Sequence, residues 1–343
     1  VVNPSPVLDS IFGSGTTITE ANNDSIAAYA QIDYELTDTL TATGGLRYTK
    51  DNRELQIDSL AGATGSVLGL GNFDESYDEV TYTAVLAWRP NADTTTYAKI
   101  STGYVSGGIL SGIPYDPETL TAYELGFKSQ FLENRLRINM AAFYNEYKDL
   151  QIQAFLNGRQ FFDNAGEATI QGVEAELQWL PTEGLMLTAS LGYVDHEFDE
   201  YLQRTPDGGF RDLTNDVVQQ FVPDTTGRLS AQYYTGAFSG GAQFFARIDG
   251  LYQGDTPLTG NTLRDTAGNP TPLNSERDLD AFWNVSARVG FSGIRVGDSQ
   301  MSVSLFGENL LDEDFFPFST EAFSLNRMYA RGRIYSLEVS LEI

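Results

Sequence analysis

The side chains able to do acid–base or metal chemistry are few. His196 is the only histidine of the 343 residues, so a Ser-His-Asp arrangement hangs on that one residue. It stands in Asp195-His196-Glu197-Phe198-Asp199-Glu200. Those carboxylates can hold a divalent cation, or they are simply an acidic strand end entering a loop. Glu174 and Glu176 lie two residues apart and so share one face of a strand, as a carboxylate pair or as plain polar lining. Gly13-Ser14-Gly15 and Gly69-Leu70-Gly71 are not phosphate loops, because neither lies between a strand and a helix start and no Lys follows at the needed spacing. Cysteine is absent, which excludes disulfides and thiolate metal sites. No catalytic residue, metal ligand or cofactor is assigned, and the chain is not expected to be an enzyme.

Composition narrows the classes further. The formal net charge is −26, which argues against nucleic acid as a partner, since phosphate binding needs Lys and Arg. The chain is longer than one soluble core usually supports. It has no apolar run of about 18 residues and therefore no transmembrane helix. No cationic segment followed by an apolar one opens it, and Val1-Val2-Asn3-Pro4 reads as the interior of a longer chain.

The elements that must hold any site are strands. In residues 117–150, Tyr123, Leu125, Phe127 and Phe131 share one parity, with Glu124, Gly126, Lys128 and Gln130 on the other. After Leu132-Glu133-Asn134 the pattern restarts, with Leu136, Ile138, Met140, Ala142 and Tyr144 against Arg135, Arg137, Asn139 and Asn145. A period of two means two faces in different environments. A soluble sandwich buries the apolar face; a membrane barrel turns it to lipid and the polar face to the lumen.

Residues 1–23 lack a period and read as a loop. Beyond them the pattern predicts thirteen strands, centred on 24–36, 40–52, 76–89, 94–106, 118–131, 134–149, 167–180, 184–197, 220–234, 240–253, 279–292, 299–311 and 331–343. Many reach the 9–11 residues that a tilted strand needs to cross a bilayer. Short connections at 37–39, 90–93, 132–134, 181–184, 235–239 and 293–298 alternate with long ones near 53–75, 107–117, 150–166, 198–219, 254–278 and 312–330. Short turns at one end and long loops at the other are the layout of an antiparallel outer-membrane meander.

Parity and position agree. On the apolar parity, strands running toward the short turns end with Tyr34, Trp88, Phe131, Trp179, Tyr233 and Phe291. Strands running toward the long loops end with Tyr48, Tyr144, Tyr193 and Tyr252. Two aromatic girdles result, one at each interface. In the closing strand Tyr335, Leu337, Val339, Leu341 and Ile343 share one face, and Ser336, Glu338, Ser340 and Glu342 the other. Glu338 and Glu342 are too polar to face lipid, so the polar parity faces the lumen.

The segments DSIAAYAQIDYELTDTLTATGGLRYTKDNRE (24–54), PETLTAYELGFKSQF (117–131), NAGEATIQGVEAELQW (164–179), FGENLLDEDFF (306–316) and RGRIYSLEVSLEI (331–343) resemble the barrel of TonB-dependent outer-membrane receptors, in texture those for iron–siderophores. The resemblance implies an all-β transmembrane barrel of about 22 strands with a plug folded inside. It implies active uptake of a scarce nutrient, powered by the TonB energy-coupling protein acting on an N-terminal box. Residue 24 then opens the tenth strand, residues 24–343 supply strands ten to twenty-two, and residues 1–23 are an extracellular loop. Plug and box are expected upstream. Ile343 departs from the terminal Phe usual in this class.

Loops on a rigid scaffold carry function. Candidate ligand contacts are Phe155, Arg159, Phe161 and Phe162; Arg204, Phe210 and Arg211; and Phe315 and Phe316, with Phe318 beside them. Arg can pair with an anionic ferric chelate; equally, these residues can pack loop against loop. Carboxylates at Glu54, Asp58, Asp74, Glu75, Asp78 and Glu79, and at Asp195, Glu197, Asp199, Glu200, Asp207, Asp212 and Asp216, suit divalent cations shared with lipopolysaccharide, a field that draws a cationic ligand, or plain solubility. The expected partners are outer-membrane lipid and lipopolysaccharide, a ferric siderophore or similar nutrient, and TonB. The rival reading is a passive porin-like or structural outer-membrane barrel.

Overall fold

The computed structural model describes residues 17–59, 71–156, 159–205, 208–258, 260, 278–316, 318–321 and 325–342. Strands β1 (Thr17–Thr37), β2 (Leu40–Ser59), β3 (Gly71–Asn91) and β4 (Thr94–Val105) come first. A small hairpin, β5 (Gly108–Leu110) and β6 (Ile113–Tyr115), precedes β7 (Glu118–Phe131) and β8 (Leu136–Lys148). A second hairpin, β9 (Gln151–Leu156) and β10 (Arg159–Asn164), leads to β11 (Gly166–Thr182), β12 (Leu185–Arg204) and β13 (Phe210–Asp212). Then follow β14 (Thr225–Tyr234), β15 (Gln243–Gln253), β16 (Phe282–Val296) and β17 (Ser299–Glu308). The last hairpin, β18 (Phe318–Glu321) and β19 (Leu325–Met328), precedes β20 (Ile334–Glu342).

The main sheet is an antiparallel meander in the order β1-β2-β3-β4-β7-β8-β11-β12-β14-β15-β16-β17-β20, which matches the thirteen strands read from alternation. No helix occurs among the described residues. Ladder register joins the apolar parities into one face. One row runs Tyr34, Ala42, Leu86, Ala98, Leu125, Ala142, Val173 and Tyr193, each opposite the next. Opposite residues share a face, so the apolar band is continuous across these strands. The same register carries it on through Leu229, Gly250 and Val285, and through Val289, Leu305 and Leu337.

This face is exposed. Leu125, Met140, Leu337 and Leu341 are 64%, 52%, 67% and 54% accessible. Phe127, Leu136, Ile138, Leu177 and Leu187 are half-buried, and none of the nine enters a core. The buried apolar side chains among the described residues are Leu55, Ile57, Phe161, Ala165, Ala168, Leu258, Leu279 and Phe282, all toward the long connections. A single-layer sheet with its apolar face bare needs an apolar neighbour on that side. β1 and β20 end the sheet, and no ladder joins them to each other among the described residues.

The structure corrects the connections. Residues 17–23 are strand, not loop, because they ladder with Arg53–Ser59 of β2. The 53–75 connection is largely strand too, since β2 and β3 stay paired to Ile57 and Gly71. The connections near 107–117, 150–166 and 312–330 contain hairpins, and β13 extends the tip of β12. The short turns are as tight as expected; Leu132, Glu133 and Asn134 all take positive φ (54°, 57° and 65°), and Gly184 takes 78°. The expectations for residues 1–16, for Ile343 and for the Phe155, Arg159 and Phe318 side chains lie outside the described residues.

Candidate functional site

The strands present a polar wall on the face opposite the apolar band, and several of its charges are paired. Lys99 lies 3.5 Å from Glu124, which also accepts a hydrogen bond from the Tyr97 hydroxyl. The Tyr97 ring covers Gly126, where an added Cβ would overlap it, and Lys128 stands 5.8 Å from the ring centroid. Asn139 donates to Glu176 (3.3 Å). Farther along, Arg247 grips Asp249 through two bonds (2.6 and 2.7 Å) and Arg228 reaches the same carboxylate (3.2 Å). Arg288 pairs with Glu338 (2.7 Å). Glu124, Lys128, Asn139, Glu174, Glu176, Glu338 and Glu342 all occupy this face by register, as their parity requires.

Above the wall the hairpins form a lattice. Phe161 is buried, and Phe162 rests on Tyr115 with ring centroids 5.0 Å apart. Arg204, at the tip of β12, makes two 3.0 Å bonds to Asp163 and lies over the rings of Phe161 (6.0 Å) and Phe210 (5.2 Å). The bond to Asp163 raises the already high pKa of this guanidinium. Burial raises that of Tyr201 nearby, and two bonds from Thr214 lower that of Asp212. Arg53 donates to the Gly107 carbonyl (3.4 Å) and Tyr77 to the Tyr115 carbonyl (2.9 Å).

The sequence candidates therefore fall into two groups. Phe161, Phe162, Arg204 and Phe210 come together, and Arg204 spends its charge on Asp163. Phe315 and Phe316 sit elsewhere, packed against Leu258, Leu279 and Phe282; Phe315 stacks on Phe282 at 4.2 Å and 11°. Arg211 and Phe210 are exposed. Asp163, Asn164, Gln151 and Tyr77 organise the lattice but stood out in no motif of their own, apart from Asn164 at the head of NAGEATIQGVE. Asp195 and Asp199 accept from Gln171 (3.1 Å) and Thr169 (2.8 Å), their cross-strand neighbours on β11. His196 points to the opposite side of the strand. Among the described residues no three His, Cys, Asp or Glu side chains converge on one point.

A family model described as TonB dependent receptor-like, beta-barrel, matches residues 2–310. The chain belongs to the TonB-dependent receptor β-barrel family. Family members are transport receptors rather than enzymes. It is similar to the pesticin receptor of Yersinia enterocolitica, 29% identical over 184 residues, which cover 51% of this chain and 26% of that protein. It is also similar to the ferric-pyoverdine M114 receptor PbuA of Pseudomonas sp. strain M114, 26% identical over 327 residues, covering 92% of this chain and 36% of that one. The crystal structure of the ferric yersiniabactin uptake receptor FyuA from Yersinia pestis superposes with a TM-score of 0.70 at 20% identity, covering 94% of this chain and 46% of that one. That likeness establishes the fold. The chain spans roughly a quarter to a half of the length of the proteins it matches.

Proposed function

We propose that this receptor barrel sits in the bacterial outer membrane and takes part in active uptake of a scarce nutrient, a ferric siderophore foremost, energised by TonB through a region outside this chain. The observation that carries the reading is the continuous, exposed apolar band on one face of a sheet whose other face is polar and ion-paired. Its height fits. Leu136 and Tyr144 share one strand eight residues apart, roughly 27 Å at about 3.4 Å per residue. A tilt of roughly 40° shortens that to about 20 Å, near the ~25 Å apolar band of outer-membrane barrels. Lipid and lipopolysaccharide are the proposed neighbours of that band. The aromatic tiers supply both margins, and Trp283, opposite Tyr252 with rings 5.2 Å apart, extends the loop-side one.

The acidic net charge accords with a role that involves no nucleic acid. Siderophore uptake is supported by the named functions of similar proteins, the pesticin receptor and the ferric-pyoverdine receptor among them. The deciding experiment gives cells lacking their own siderophore receptors the complete gene and measures uptake of a panel of radioiron-labelled ferric siderophores, with and without TonB. Uptake of at least one chelate that stops without TonB is expected. Diffusion of small solutes that persists without TonB, with no chelate taken up, would overturn the reading in favour of a passive porin-like barrel.

A further inference from the structure

Strand β10 splices two sets of neighbours. Successive residues of a strand point to opposite sides, and Asp163 and Asn164 are successive. Asn164 works toward β6 and β8. Its amide nitrogen donates to the carbonyls of Asp116 (2.8 Å) and Asp149 (2.9 Å), and its amide oxygen accepts from the Asp116 N–H (2.7 Å). Gln151, across the hairpin, adds bonds to the Ser106 and Asp116 carbonyls (3.1 and 3.2 Å). Tyr115 packs on Phe162 and is tied by its carbonyl to Tyr77 of β3. Asp163 works the other way, holding Arg204 at the tip of β12 through the paired 3.0 Å bonds. The Leu202 N–H reinforces that side, donating to the Ala165 carbonyl (2.7 Å).

Apart from the Asn164–Asp149 bond, which closes the base of the β9–β10 hairpin, these bonds join one connection to another or to a neighbouring main strand, and none lies within a single hairpin. A three-residue strand pair such as β5–β6 is too short to hold itself. Its order therefore comes from Asn164, Gln151 and Tyr77. We propose that hairpin β5–β6, hairpin β9–β10 and the β12–β13 tip are one rigid body, with Asn164 and Arg204 as the positioning residues that couple its parts. A molecule that engages any one of the three displaces the other two. The inference holds for whatever nutrient is carried, so uptake experiments and this one fail independently.

The test is hydrogen exchange on the complete receptor in lipid nanodiscs. N164A is expected to speed exchange at least tenfold in residues 108–115 and 151–156 together and to raise it in 210–212. R204Q is expected to loosen 210–212 and 159–164 together and to raise exchange in 108–115. The β18–β19 hairpin, which packs around Phe316 through Tyr329 and Arg327, serves as the internal reference and stays unchanged. The exchanged pair D163R/R204D is expected to restore protection that R204Q loses, which a role in mere bulk packing does not predict. If each variant loosens only its own hairpin, or the exchanged pair leaves protection lost, the single-body proposal is overturned.

Discussion

The two faces of the main strands are built by opposite rules from the same backbone. The apolar face takes large side chains and leaves many of them exposed, with Ile32 at 70% and Leu337 at 67%. Nothing on it is specific; size and apolarity are enough. The polar face carries charges that meet in defined pairs, Lys99 with Glu124, Arg247 with Asp249 and Arg288 with Glu338. It also carries fitted shapes, such as Tyr97 over Gly126. One face tolerates exchange among apolar residues and rejects charge. The other tolerates charge and rejects misfit.

The sharpest way to break this contrast is charge placement. Leu177 lies between Ile138 and Ala189 on the apolar face, and Glu176 between Asn139 and Ser190 on the polar one. L177R is expected to destabilise by about 2–4 kcal/mol, the range for a basic residue at the bilayer midplane, and E176R by well under half of that. Urea unfolding in lipid vesicles reads both. Equal losses would mean the faces are wrongly assigned.

Fit comes next. At Gly126 an added methyl would overlap the Tyr97 ring, whereas at Gly103 nothing lies within 4 Å. G126A is expected to lose about 1–3 kcal/mol through overpacking. G103A should be neutral or gain up to about 1 kcal/mol by restricting the unfolded chain. The same unfolding assay compares them, and a G126A loss no larger than that of G103A would remove the fitted-shape argument.

The smallest effect belongs to an exposed ion pair. Arg288 and Glu338 remain 42% and 55% accessible. E338Q is expected to cost about 0.2–1 kcal/mol at low salt. The loss should fade near 1 M salt, where the Debye length is about 3 Å. A salt-independent loss would point to packing of the Arg288 stem on Phe306, 5.5 Å from its guanidinium, instead of charge.

The faces and the number of strands were legible because alternation over ten or more residues leaves little freedom: one slip would turn Leu337 and Glu338 to each other's side. The hairpins within the long connections were not legible. β5–β6 and β13 are three-residue strands, too short to show a period, and their order depends on Asn164 and Arg204 from elsewhere in the chain. Residues 17–23 failed for a related reason: Thr-Ile-Thr-Glu-Ala-Asn-Asn shows no face of its own and is strand because β2 extends beside it to Ser59. Of the candidate contacts, the types were legible in Phe161 and Arg204 but the pairing was not, because Asp163 lies 41 residues from Arg204.

Among the described residues, each main strand ladders with no main strand other than those before and after it along the chain. Mechanically the sheet is a zip fastener. Tension on one terminus loads the outermost ladder alone, while the rest of the sheet bears no shear until that ladder parts. Pulled from a membrane by a probe tip, it should give way in a series of small events, each releasing about 3.3–3.6 Å per residue of one or two strands. A single rupture of the entire sheet would contradict this. The force the molecule withstands is then the strength of its weakest exposed hairpin, however many strands stand behind it.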